Sequence, residues 1–480
     1  MIKALSIAAI ARRSTRRHAA NLVLGASFAL LSSLATRPAH ALPSYAAQTG
    51  QACAACHVGS FGPQLTPLGR AFKIGGYTQS GGEGWRSEIP FSGMAFGSFT
   101  HTNTDQPSNS IAGYGNNNNL NVDQASGFIA GGFGEHSGAL VQITGNQNGG
   151  SIHLDNTDIR PYTTTFNVLS DQELRVGATL NNAPTVQDPY NTTFAWGYPF
   201  VSSALAPTPA AQPVLAGGFA GNSIGATAYG WFNKSLYLEA GGYNTMNRYL
   251  LGRTGDAFVS PYGSTAGTAP YLRAAYEWDW NNQAAHIGTI FFQTGVNPLT
   301  GPRDVSSPFG HDQYTDYAFD AGYQFLGNGT HIAMVQGIYT HESQNLVGTA
   351  ANNNNNNGTA FGSHYNLDQI RANASYWYQN TYGFTFGWQR TWGPADPVLF
   401  QPAQTTGSNN SKPDSNAFIL EADWVPFGKE GSWGAPFANL KVGVEYTIYT
   451  MFNGGNTNYD GFGTNAGDNN TLYLFAWVAF

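Results

Sequence analysis

Cysteine occurs only twice in 480 residues, and charged side chains make up only 10% of the chain. No run of about 20 apolar residues follows the N-terminus, which excludes a protein that crosses membranes with helices. The G-x-S-x-G, H-E-x-x-H and P-loop patterns are all missing, so no hydrolytic chemistry is indicated. Against these absences stand 59 glycines, an aromatic content of 14% and many Asn and Thr. Such a composition fits an all-β chain, either a barrel that crosses an outer membrane or a large soluble β protein. Length alone allows two or three soluble domains.

The first 41 residues read as a signal peptide. Lys3, Arg12, Arg13, Arg16 and Arg17 form a basic start, Asn21 to Ala35 is apolar, and Ala39-His40-Ala41 is an A-x-A cleavage site. This leader holds six of the 21 Lys and Arg and none of the 28 acids, so the mature chain carries a net charge of −13. Nucleic acid is therefore not an expected partner.

Both cysteines fall in one stretch, Cys53-Ala54-Ala55-Cys56-His57. C-x-x-C-H is the attachment site of a c-type haem: two thiols for the vinyl groups and a histidine for one face of the iron. A disulfide staple is the plainer reading, but C-x-x-C suits redox or metal chemistry better. A zinc site needs further ligands, and no other His or Cys lies between Ala41 and Thr100. The expected cofactor is one covalent haem c on Cys53 and Cys56, with His57 as the proximal iron ligand. Met94, the only methionine near this segment, is the candidate distal ligand; His101 and water are its rivals.

Residues 42–87 form the haem segment. Thr66 reads as a helix N-cap with Pro67 in the first turn, Leu68 and Phe72 share a face that would lie over the haem, and Gly75-Gly76 stops the helix. Arg70 and Lys73 lie one turn apart, as partners for the haem propionates or as a solvated face. A segment of about 45 residues is near the size at which a chain needs outside help to fold. It is expected to plug a larger body.

At these residues the sequence resembles the fused monohaem cytochrome–porins of the bacterial outer membrane, best known from outer-membrane iron(II) oxidases. The resemblance rests on Ala47-Gln48-Thr49-Gly50, the C-x-x-C-H stretch, Pro63-x-Leu65-Thr66-Pro67-x-Gly69-Arg70-x-Phe72-Lys73 and Gly75-Gly76-Tyr77. It implies an outer-membrane protein that takes electrons from an extracellular donor such as Fe(II). It passes them through the haem to a periplasmic cytochrome or other acceptor.

Residues 88–480 read as a transmembrane antiparallel β-barrel set in outer-membrane lipid. Segments of about ten residues alternate with period two. Leu440, Val442, Val444, Tyr446 and Ile448 oppose Lys441, Gly443, Glu445 and Thr447, and Tyr317, Phe319, Tyr323 and Phe325 oppose Asp316, Asp320 and Gln324. Sixteen strands are expected, the first over 88–101, with long and short connections alternating and both termini periplasmic. The runs Asn116 to Asn119 and Asn352 to Asn357 are expected to be polar loop tips. Inward acids (Glu239, Glu277, Asp279, Asp316, Asp320, Glu421, Asp423, Glu445) outnumber inward bases (Arg175, Arg273, Arg371, Lys441), which tilts the lumen toward cations. The competing function is a solute porin whose haem segment gates or senses, with the Ala- and Pro-rich loop 181–221 folding inward as a constriction.

Overall fold

The computed structural model describes residues 43–106, 113–145, 152–169, 171–194, 197–246, 250, 252–253, 263–298, 307–357, 362–435 and 438–480. The leader lies outside them. Sixteen long antiparallel strands form one closed barrel: β1 (Phe91–Thr102), β2 (Asn119–Gly132), β3 (Gly138–Gly145), β4 (Ile152–Leu169), β5 (Gln172–Asn181), β6 (Ser223–Phe232), β7 (Leu236–Thr245), β8 (Ala269–Trp280), β9 (Gln283–Asn297), β10 (Asp312–Phe325), β11 (His331–Asn345), β12 (His364–Tyr378), β13 (Tyr382–Trp392), β14 (Ser415–Trp424), β15 (Asn439–Met451) and β16 (Thr471–Ala479). A two-residue strand, Ser264–Thr265, also pairs with β9. Each long strand pairs with its sequence neighbours, and β1 closes the ring on β16 from Met94 opposite Ala479 to Thr102 opposite Thr471. The first strand begins three residues later than its alternation suggests, because Trp85–Glu88 forms a 3-10 turn.

The alternation has the sense of a membrane barrel. Along β10, Tyr317, Phe319, Tyr323 and Phe325 are exposed while Asp316, Asp320 and Gln324 are buried. The apolar residues thus face outward, where a bilayer would cover them, and the polar ones face the lumen. Several connections at one end are two-residue hairpins in which Asn233-Lys234, Asn281-Asn282 and Gln379-Asn380 all take positive φ. Turns of that hand match the twist of the strands they join. The longer connection 425–438 at the same end is the exception, and it packs on the N-terminal segment.

The lumen is filled from both ends. At the short-turn end sit α1 (Pro43–Thr49), α2 (Cys53–Cys56) and α3 (Pro67–Ile74). From the long-loop side the chain between β5 and β6 folds inward, and most of its described residues from Asn182 to Val201 are buried. The 3-10 turn Val214–Ala216 in this loop is held by two wall carboxylates. Val214 N–H donates to Glu342 at 2.6 Å and Leu215 N–H to Asp316 at 2.8 Å. The asparagine run is not a loop tip: it lies in the helix Val347–Asn357.

The predicted inward acids are mostly inward, but they do not make a free cation-attracting field. Arg273 pairs with Asp320 and, at 3.4 Å, with Asp188 of the inward loop. Lys441 pairs with Glu421 at 2.8 Å and Asp423 at 3.1 Å. Glu277 is taken by Arg70 of the plug. Asp279 stands exposed at the end of β8. A buried carboxylate needs a partner: the plug supplies Arg70 to Glu277, and the inward loop supplies backbone N–H donors to Glu342 and Asp316.

Candidate functional site

The C-x-x-C-H stretch is built by local backbone bonding. Cys53 and Cys56 are one helical turn apart in α2. His57 N–H donates to the Cys53 carbonyl at 2.8 Å, and His57 itself leaves the helix in an extended conformation. It then pairs with Leu65 in an antiparallel bridge, with Val58 N–H on the Gln64 carbonyl at 3.0 Å. Thr66 caps α3 as the sequence predicts, accepting from Gly69 N–H at 3.3 Å. Its hydroxyl also donates to the Ala55 carbonyl at 2.5 Å, which ties α3 to the motif. A methyl group on Gly69 would lie 2.3 Å from the Cys56 carbonyl oxygen. Only glycine lets α3 pack this close.

The barrel grips this unit on every side. Gln48 accepts from Gly132 N–H of β2 at 2.8 Å while its amide donates to the Tyr77 carbonyl at 2.7 Å. Tyr77 donates to Asp158 of β4 at 2.7 Å, and Tyr229 of β6 donates to the Ile74 carbonyl at 2.7 Å. Ala54 N–H donates to the Gly428 carbonyl at 3.0 Å, which explains the longer connection at 425–438. Gly59, at φ 74°, lies against Trp377 of β12, where an added methyl group would come within 2.2 Å of the indole.

Between plug and wall lies a cleft lined by Cys56, His57 and mostly apolar side chains. The plug contributes Tyr45, Leu65 and Phe72, and the barrel contributes Met94, Phe128, Leu140 and Trp477. Cys53 lies behind this surface, 1% exposed, and its sulfur accepts from Asn439 Nδ2 at 3.4 Å. Asn439, which lines the cleft, also donates to the Ser60 carbonyl at 2.8 Å. The two cysteines are not joined as a disulfide.

Burial holds His57 neutral, its pKa lowered to about 4 against the opposing pull of the Gly62 and Gln64 carbonyls. Its Nδ1 is buried without a hydrogen-bond partner. Burial pushes the Cys56 thiol up to about 11. Thiol–disulfide exchange needs a depressed thiol pKa, so this environment opposes a redox dithiol. Among the described residues, no three His, Cys, Asp or Glu side chains gather as a metal-ion site. A neutral imidazole beside one thiol in a largely apolar cleft, with the second thiol one helical turn away, is what a covalently held haem needs. The residues present fit that group.

The remaining candidates separate clearly. Met94 lines the same cleft as His57 and is 4% exposed. His101 lies seven residues further along β1, about 23 Å away at strand spacing, and its Nδ1 is hydrogen-bonded to Asn118 Oδ1, the acceptor, at 2.9 Å. It is not near the cleft. Phe72 lines the cleft as predicted, whereas Leu68 is turned away and 38% exposed. Lys73 lines the cleft, and burial pulls its pKa down to about 8 against the charge of Asp158. Arg70 is neither a cleft residue nor solvated: it is buried on Glu277 and the Leu65 carbonyl. The sequence reading missed Asn439 and Trp477, which alternation alone marks only as inward-facing.

The sequence matches no protein-family model and no curated protein. Solved structures of similar shape are outer-membrane proteins. OprB of Pseudomonas putida is 12% identical, with 83% of this chain and 96% of that one covered and a TM-score of 0.47. The outer membrane channel DcaP of Acinetobacter baumannii is 9% identical over 81% of this chain and 96% of that one, with a TM-score of 0.43. OmpT, an outer membrane protein of Vibrio cholerae, is 8% identical over 81% of this chain and 98% of that one, with a TM-score of 0.42.

Proposed function

We propose that this chain is a bacterial outer-membrane β-barrel that carries one haem c in its plug and moves electrons between an outside donor and the periplasm. The observation that supports it most is the shared cleft, in which Cys56 and His57 of the plug face apolar side chains of β1, β2, β3 and β16. Cys53 and Cys56 would hold the group covalently, His57 would bind its iron, and Met94 is the proposed second iron ligand. Bound there, haem supplies one-electron oxidation and reduction, with no bonds made or broken in the donor. His57 needs no deprotonation to serve as a ligand at neutral pH, because burial already keeps it neutral. Phe72, Phe128 and Trp477 exclude water; Lys73 also lines the cleft, but its ammonium donates to the Val186 and Asp188 carbonyls of the inward loop and is not free to offset propionate charge. The donor, Fe(II), is proposed on resemblance alone, and the acceptor is a periplasmic cytochrome or equivalent.

The test is purified protein in liposomes with an electron acceptor trapped inside and Fe(II) outside. Haem reduction followed by acceptor reduction supports the reading. Haem reduced only by another outside donor keeps the conduit and removes the iron oxidase. The second reading, a solute porin, is favoured by a separate polar cavity of about 1100 Å³ in the lumen. Liposome swelling with small sugars, without electron transfer from any donor, would leave only that reading.

A further inference from the structure

Four buried cations of the plug and the barrel wall have a carboxylate partner. Arg70, Arg160, Arg273 and Lys441 are each buried and each paired with a carboxylate. Arg371, on β12, makes no ion pair among the described residues. Its Nε is buried without a hydrogen-bond partner, and its guanidinium carbon lies 5.7 Å from the ring of Tyr198. The Tyr198 hydroxyl donates to the Trp388 carbonyl at 2.8 Å and accepts from Trp388 N–H at 3.0 Å, and it is the ring face of Tyr198 that lies against the guanidinium. A guanidinium stays charged at any ordinary pH, so the half-buried Arg371 carries a positive charge with no carboxylate beside it among the described residues.

Arg371 lines the second lumenal cavity, of about 1100 Å³. Gln389, its direct cross-strand partner on β13, lines it too, and so do Gln369 and Thr391, bonded to each other at 3.1 Å. On another wall stands Glu445 of β15, 4% exposed, with Oε2 unpartnered. The inward loop closes the cavity with Ser203 and neighbouring small residues.

We infer that this cavity is a binding site for a small monocarboxylate that also bears an ammonium or hydroxyl group, the chemistry of an amino acid or hydroxy acid. The Arg371 fork takes the carboxylate in a two-point contact, the geometry for which guanidinium is suited. The amide of Gln389 stands beside that contact. Glu445, with its unpartnered Oε2, accepts from the ammonium or hydroxyl group, and a second carboxylate would find no donor there. The site is separate from the haem cleft and shares no lining residue with it.

The test uses full-length protein in detergent micelles and saturation-transfer NMR with lactate, 4-aminobutyrate, succinate and glucose as probes. Lactate and 4-aminobutyrate are expected to bind saturably and more tightly than succinate or glucose. Arg371→Gln should weaken both by tenfold or more, and Arg371→Lys should retain part of the affinity. Glu445→Gln should close the gap between lactate and succinate. Heat-modifiable gel migration checks that each barrel is folded, and Gln389→Leu, which should weaken lactate binding, stands in if Arg371→Gln does not fold. Carboxylates that bind no better than glucose, or an unchanged affinity in folded Arg371→Gln, would overturn the assignment. Neither outcome bears on haem, because no probe or variant touches Cys53, Cys56 or His57.

Discussion

Arg70 of the plug and Glu277 of the barrel wall meet in a buried two-pronged ion pair, with Arg70 Nε 3.1 Å from each Glu277 carboxylate oxygen. The two residues are separated by 207 positions, and both side chains are 3% exposed. Removing one partner strands a charge that water cannot reach.

Glu277→Gln is therefore expected to loosen the plug by about 3–5 kcal/mol, the usual cost of breaking a buried pair from one side. Limited proteolysis of residues 43–90 in mild urea measures it. The double change Arg70→Met with Glu277→Met should recover much of the loss, since it leaves no stranded charge. Equal protection of Glu277→Gln and the parent would show that this pair does not seat the plug.

Cys53→Ala with Cys56→Ala should abolish the haem-stained band after denaturing electrophoresis while leaving a folded barrel, because the strands pair independently of the motif. A stained band in that variant rules out covalent attachment at these residues.

Met94→Ala should change the haem absorption spectrum and lower the midpoint potential, since thioether ligation raises it. An unchanged spectrum and potential would remove Met94 as a ligand and leave it as a wall residue packed with Phe96 and Trp477.

Acid should loosen the plug of the haem-free Cys53→Ala, Cys56→Ala variant through His57. An exposed histidine takes a proton near pH 6.5, whereas His57 in the docked plug stays neutral down to about 4. Between these values the released form binds a proton that the docked form does not, so docking weakens as pH falls. Proteolysis of the plug should therefore be faster at pH 5 than at pH 7.5, and His57→Gln should flatten that difference. Parallel pH profiles for the two proteins would refute the role of His57.

Protease added to whole cells should cut within 393–414, where Gln401 to Gln404 are exposed, and should spare 182–194, which is almost wholly buried. Cleavage of 182–194 in intact cells would mean that the loop does not fill the lumen.

The alternation, the hairpin turns and the C-x-x-C-H motif were legible because each is a local pattern. Period two sets which face of a strand meets lipid, positive-φ pairs set tight turns, and five consecutive residues make the motif. The Thr66 cap and the Gly75-Gly76 stop are local in the same way. The sequence also implied the plug, since so short a segment cannot bury its own apolar surface. What it did not give was pairing across the lumen. Alternation marks Glu277, Asp320 and Glu421 as inward, but it does not say that Arg70 of the plug, Arg273 two strands away and Lys441 on the neighbouring strand are the cations they meet. The cleft likewise needs Met94, Asn439 and Trp477, drawn from strands β1, β15 and β16, which ring closure makes neighbours. Sequence patterns fix which way a side chain points. Which partner it meets inside the lumen depends on the closure of the ring, and that is a property of the whole chain.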